Sequence, residues 1–205
     1  MCGLSGFINS KSAEYLFQPV LASMLNSIAH RGPDGTGFWF DEKLGVAIGH
    51  KRLAIHDLSI GGKQPMHSPS GRYVLAYNGE IYNFLDLRKK LAGENFAFKG
   101  ESDTEVLLTA IDHWGLSATL KQCNGMFAFA LWDRKLNQLT LVRDRMGEKP
   151  LYYGWQGDTF LFGSELKPLR RHPAWLGGVD REAVAQLLRY NYIPAPQTIL
   201  PDIFK

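Results

Sequence analysis

Between residues 126 and 162 the chain alternates apolar runs with short polar breaks, a pattern of successive strands joined by turns. The runs 126–132, 138–143, 151–155 and 159–162 are rich in Phe, Leu, Val, Tyr and Trp. The breaks carry Asp133-Arg134-Lys135, Gly147-Glu148-Lys149-Pro150 and Gln156-Gly157-Asp158, residues that turn the backbone. Further strands are predicted at 4–8, 37–40, 45–49 and 73–77. Apolar residues at 17, 20, 21, 24, 25 and 28 have helical spacing. Segments 85–91 and 103–113 read as helices, and Asp180 is placed to cap another over 181–190. Ser102 followed three residues on by Glu105 is a capping-box pattern. Strands outnumber helices, and the helices interrupt them in groups. That arrangement predicts an α+β fold of layered, mainly antiparallel sheets and disfavours a doubly wound parallel sheet.

Composition narrows the function classes. At 205 residues and 45% hydrophobic the chain can bury a sizeable core. Its 23 basic and 20 acidic residues are scattered, and the net +3 carries no basic-aromatic stripe of the kind that binds nucleic acid. The two cysteines, Cys2 and Cys123, form no disulfide framework and no metal spacing, which suits a reducing compartment. No apolar stretch approaches the roughly 20 residues of a membrane span, and no signal-peptide pattern opens the chain. The expectation is a soluble, cytoplasmic protein with no nucleic-acid or membrane partner.

The amino terminus points to a chemistry. Removing Met1 from Met1-Cys2-Gly3-Leu4-Ser5-Gly6 leaves a cysteine carrying both a thiol and a free α-amine. A free thiol, with a pKa of about 8.5, is only slightly ionised at neutral pH, whereas an α-amine titrates at roughly 7.7–8.0 and can take its proton. Nucleophile and base then share one residue. The alternative is a small hydrophobe at the start of a buried strand.

Other polar clusters admit two readings each. In Tyr77-Asn78-Gly79-Glu80-Ile81-Tyr82-Asn83, an Asn amide beside a Gly N–H supplies the two donors an oxyanion needs, yet Asn-Gly is also the strongest short hairpin signal. Arg52, at the end of an apolar strand, suits bidentate capture of a carboxylate or simple exposure. Asp103, at a helix start, is a dipole partner or a site for an ammonium group.

Taken together, these segments resemble one family. Cys2-Gly3-Leu4-Ser5-Gly6, His30-Arg31-Gly32-Pro33-Asp34, Arg52-Leu53-Ala54-Ile55, Tyr77–Asn83 as quoted above and Ser102-Asp103-Thr104-Glu105 follow its order and approximate spacing. So do Gly125-Met126-Phe127-Ala128-Phe129-Ala130, Arg143-Asp144-Arg145-Met146-Gly147-Glu148-Lys149-Pro150-Leu151-Tyr152-Tyr153 and Phe162-Gly163-Ser164-Glu165-Leu166-Lys167. The chain resembles the glutaminase domain of class II, N-terminal nucleophile, glutamine amidotransferases. Within them it is most similar to the glutamine-hydrolysing asparagine synthetases.

The resemblance implies a four-layer α/β/β/α sandwich, the N-terminal nucleophile hydrolase fold. It implies hydrolysis of L-glutamine through a γ-glutamyl thioester on Cys2, with Asn78 and Gly79 as oxyanion donors. Arg52 would bind the substrate carboxylate, Asp103 and Glu80 would face its ammonium, and Leu53, Ala54, Ile55 and His56 would complete the glutamine-binding segment. Arg31 and Gly32 would lie in a loop approaching the nucleophile. The glutaminase half-reaction calls for no metal or cofactor. On this reading residues 1–190 are the glutaminase domain, and 191–205, Pro-rich and interrupted, begin a connector to an ATP-dependent synthetase domain that would use ATP and Mg²⁺. A different acid or sugar acceptor, or a silent interaction module of the same fold, are the alternatives, and a homodimer is compatible with either. Cys123 is expected to be buried and structural. His50 and His56 are expected at loop or sheet surfaces, and Glu101 is expected to add a carboxylate near the ammonium pocket.

Overall fold

The computed structural model describes residues 1–9, 16–55, 57 and 59–205. In chain order the elements are β1 (Gly3–Asn9), α1 (Phe17–Asn26), β2 (Gly35–Asp41), β3 (Val46–Arg52), β4 (Met66–His67), β5 (Tyr73–Ile81), α2 (Phe84–Gly93) and α3 (Asp103–Trp114). They continue with α4 (Leu116–Gln122), β6 (Gly125–Asp133), β7 (Gln138–Arg143), β8 (Tyr152–Gln156), β9 (Thr159–Gly163), α5 (Leu166–Leu169), α6 (Arg181–Tyr190) and β10 (Ile203–Phe204). One sheet has the order β10-β8-β9-β1-β3-β2 and the other β4-β5-β6-β7. Every ladder in them is antiparallel.

Strand alternation sorts the apolar side chains into three separate layers. Leu4, Ile48, Val74, Ala76, Ala128, Ala130 and Phe162 pack between the two sheets. Leu75, Tyr77 and Phe129, on the other face of the second sheet, meet Leu87, Leu91, Val106, Leu107 and Ile111 of α2 and α3. Phe7, Ala47 and Leu161 meet Leu21, Met24 and Leu25 of α1 on the outer face of the first sheet. Three apolar interfaces make four layers, α/β/β/α, as the resemblance implies.

The helix starts follow local chemistry. Ser102 Oγ accepts the Glu105 N–H at 3.2 Å, and Asp180 accepts the N–H groups of Glu182 and Ala183 at the head of α6. Glu105 does not close a capping box; its carboxylate accepts the N–H groups of Lys99 and Gly100 instead. The predicted 17–28 helix ends at Asn26 and is followed by a single 3₁₀ turn, Ala29–Arg31. β4, β10, α4 and α5 carry no periodic signal long enough to read.

A hairpin at Asn78-Gly79 does not form. β5 runs straight through to Ile81 because β6 pairs with it along its whole length, from Tyr73↔Asp133 to Ile81↔Gly125. Gly79 is required by closeness: a Cβ there would lie 2.5 Å from the Met126 carbonyl oxygen and 2.7 Å from Phe127 Cβ. Residues 191–205 fold back on the first sheet, where Ile203 pairs with Gly154 and is buried with Leu200 beside the α1 layer.

Candidate active site

The inter-sheet layer changes character at one end. Leu4 and Ile8 of β1 face the opposite sheet, so Cys2, one pleat before Leu4, faces it too. On β3 the same face runs Val46, Ile48, His50, Arg52, and on β5 it runs Val74, Ala76, Asn78. An apolar layer thus terminates in a thiol, an imidazole, a guanidinium and an amide. A cavity of about 170 Å³ opens there, lined by Cys2, Arg52, Leu53, Ala54, Ile55, Asn78, Gly79, Glu80 and Asp103. His56 lies outside the described residues.

The Cys2 sulfur accepts the Leu53 N–H at 3.3 Å and its S–H points to the Leu53 carbonyl at 3.5 Å. Burial pushes the thiol pKa up, and the Leu53 contact, the amine of Met1 and Arg52 only partly offset it. Near neutral pH the sulfur is therefore protonated, and a base is needed to make it a nucleophile.

Opposite it, Asn78 is 2% exposed and its Nδ2 has no hydrogen-bond partner. Buried amide donors are rarely left unengaged, and each one calls for a reason. Gly79 adds a second donor. Tyr77 N–H is taken by Gln64 Oε1 at 2.7 Å and Ile81 N–H by Asp103 Oδ2 at 3.0 Å, both on the side of β5 away from β6. Ladder alternation turns the Gly79 N–H to that same side, and β4 pairs only as far along β5 as Leu75 and Val74.

The charged groups are held firmly. Arg52 donates from Nη1 to the Ser59 carbonyl at 2.8 Å and from Nη2 to the Asp57 carbonyl. Gly62 packs against this guanidinium so closely that a Cβ would collide with it. Asp103 Oδ2 accepts the Tyr77 hydroxyl at 2.7 Å as well as the Ile81 N–H. The arrangement brings a guanidinium, a carboxylate, a thiol, a side-chain amide and a backbone N–H together in one small volume.

Over residues 1–205 the sequence matches the glutamine amidotransferase domain family. The chain belongs to this family. It is 40% identical over 207 residues to asparagine synthetase [glutamine-hydrolyzing] 3 of Bacillus subtilis, a match covering all of this chain and 33% of that protein. It is 41% identical over 177 residues to amidase chry2 of Gibberella zeae, covering 82% of this chain and 26% of that one. Among solved structures, the glutamine phosphoribosylpyrophosphate amidotransferase of B. subtilis superposes with a TM-score of 0.69 at 24% identity, over 82% of this chain and 43% of that chain. That likeness shows the fold. The chain spans about a third of the length of the synthetase it matches.

In this amidotransferase domain several residues stand where the sequence did not suggest. His50 is not at a surface: it is 1% exposed in the inter-sheet layer, and its Nε2 donates to the Tyr77 carbonyl at 2.9 Å. Burial pushes its pKa down to about 4, so the ring is neutral. Glu101 is exposed and does not line the cavity; Asp57 does. Asp57 accepts the Ser59 N–H at 2.7 Å and the Glu101 N–H at 3.4 Å, tying the loop after β3 to the head of α3. Arg31 and Gly32 approach the strand that follows Cys2 from behind. Gly32 lies against the Lys51–Arg52 backbone, and Arg31 packs on Gly3 while donating to Glu165 at 2.5 Å. Cys123 is buried, and burial pushes its thiol up to about 11.

Gln64 and Lys149 also line the cavity. Lys149 lies in a quoted motif, but nothing in its spacing marks it as a cavity residue. Among the described residues, no group of three or more His, Cys, Asp or Glu is placed to hold a metal ion, and no helix is long and apolar enough to cross a membrane.

Proposed function

We propose that this domain hydrolyses L-glutamine to glutamate and ammonia, with Cys2 as nucleophile in a chain processed to begin at that residue. The observation that carries the reading is the buried, unpartnered Asn78 Nδ2 in the same cavity as the Cys2 thiol. The Cys2 α-amine takes the thiol proton, and sulfur attacks the side-chain amide carbon. Asn78 Nδ2 and the Gly79 N–H receive the oxyanion, and removing one such donor typically costs about 3–4 kcal/mol of barrier. The protonated amine passes its proton to the departing ammonia. Water then attacks the γ-glutamyl thioester and releases glutamate. Arg52 binds the substrate α-carboxylate and Asp103, with Glu80, its α-ammonium, so that free glutamine is selected over a glutamine residue within a protein.

The ammonia is supplied to an ATP-dependent amidation in a longer polypeptide. ATP and Mg²⁺ belong to that further domain, and the compartment is the cytoplasm. The names of the bacterial relatives favour aspartate as acceptor and asparagine as product. The fungal relative named an amidase favours a second reading, in which the same glutaminase serves another acceptor.

The test is glutamate release from L-glutamine by protein whose intact mass shows Met1 absent, together with mass-spectrometric trapping of the thioester. Active material that retains Met1 would overturn the role of the α-amine.

A further inference from the structure

Lys149 is 6% exposed, and its side chain lines the same cavity as Cys2. Its backbone is fixed: the Asp144 carboxylate accepts the N–H groups of Lys149 at 3.1 Å and of Phe127, at the start of β6, at 3.2 Å. The ammonium's hydrogen bond is to the sulfur of Met1, at 3.4 Å. Among the described residues it forms no ion pair with a carboxylate. A buried ammonium without a counter-charge is costly, and a thioether is a weak acceptor. Met1 is joined to the Cys2 nitrogen, so a methionine side chain and one hydrogen bond separate the ammonium from that nitrogen. In the processed chain its described partner is gone, and the nitrogen becomes a free amine.

We propose that Lys149 is a positioning residue for the Cys2 α-amine, its ammonium holding that amine in the unprotonated form that accepts the thiol proton. The proposal rests on the glutaminase reading above. A like charge nearby disfavours the protonated amine, and the same charge favours the thiolate formed when the proton leaves sulfur. Of the other groups lining the cavity, Arg52 acts in the same sense. Asp57, Glu80 and Asp103 act against it, and Tyr77, which burial keeps as a phenol, is neutral. Lys149 offsets part of a field in which the three carboxylates favour the protonated, idle base.

The test uses protein lacking Met1, in wild-type, K149M and K149R forms. Two profiles are read against pH: kcat/KM for glutamate release, and the rate of iodoacetamide capture at Cys2, followed on its own peptide. K149M is expected to move the acid limb of the first and the midpoint of the second upward by about one pH unit. That shift gives roughly a tenfold loss of kcat/KM at pH 6 that fades as pH rises, and K149R restores the wild-type profiles. A loss that is equal at all pH values, or unchanged profiles in K149M, overturns the proposal. K149Q is read in the same way if K149M does not fold. Wild-type protein that releases no glutamate would overturn the glutaminase reading instead, and the capture profiles would still decide the role of Lys149.

Discussion

Arg52 and Asp103 enter the cavity already held, whereas Asn78 enters it buried with its amide nitrogen unengaged. The Arg52 guanidinium is fixed by the Asp57 and Ser59 carbonyls, and the Asp103 carboxylate by the Tyr77 hydroxyl and the Ile81 N–H. Groups that recognise a ground-state charge gain from being aimed in advance, since less side-chain freedom is lost on binding. A group that stabilises a charge appearing only in the transition state must keep its capacity unspent until then. The two parts of the cavity therefore differ in how many of their hydrogen bonds are committed before substrate arrives.

The largest expected effect removes the reacting side altogether. Cys2→Ala should abolish glutamate release while glutamine still binds, as calorimetry would measure; lost binding would mean that capture by Arg52 and Asp103 depends on the thiol. Next, Asn78→Ala should lower kcat about 100- to 1,000-fold with KM changed only a few-fold. Arg52→Ala should do the reverse, raising KM about ten- to a hundred-fold with kcat little altered, because a charged hydrogen bond made in both states is lost. Steady-state kinetics showing those two patterns exchanged would break the comparison.

A smaller effect concerns His50, which ties the two sheets together through the Tyr77 carbonyl, next to Asn78. Its pKa is about 4 in the fold against 6.5 for a free imidazole, so the unfolded chain takes up a proton first as pH falls. Stability should be fully present above about pH 6.5 and fall toward pH 4, with roughly 1 kcal/mol lost to this residue by pH 5.5. Denaturation of His50→Gln across that range should show a reduced slope. The slope should not vanish, because burial also lowers His172 to about 4. Smallest of all, Cys123→Ala should leave turnover within a few-fold of wild type and cost about 1 kcal/mol of stability.

Most strands and the larger helices are legible in the sequence because alternation, helical spacing and caps are local signals. Cys2, Arg52, Asn78 and Asp103 are legible because each sits in a short motif with chemistry of its own. Asn78-Gly79 shows where local reading fails. Its hairpin propensity is real, but Gly79 answers to Met126 and Phe127, residues far along the chain that press on it across the ladder. Gln64 and Lys149 reach the cavity through loops whose course depends on distant partners, and His50 is buried because β3 lies between β1 and β2 with the second sheet across it. Such placements follow from strand order, which no window of sequence contains.

Asp144 has a consequence of another kind. Its carboxylate accepts N–H groups from Phe127, Met146, Glu148 and Lys149, which together hold its pKa below the usual carboxylate range despite burial. Two stretches of chain, the beginning of β6 and the loop after β7, thus meet at one residue, whose own N–H also donates to the Phe127 carbonyl at 2.8 Å. Their amide protons should exchange with solvent as one group, and acid strong enough to neutralise that carboxylate should release both stretches in the same step. The wall of the cavity that carries Lys149 would then be held by the Asp144 N–H to Phe127 and by Arg143, which donates to the Gly147 and Lys149 carbonyls, and would loosen before the ladders on either side give way.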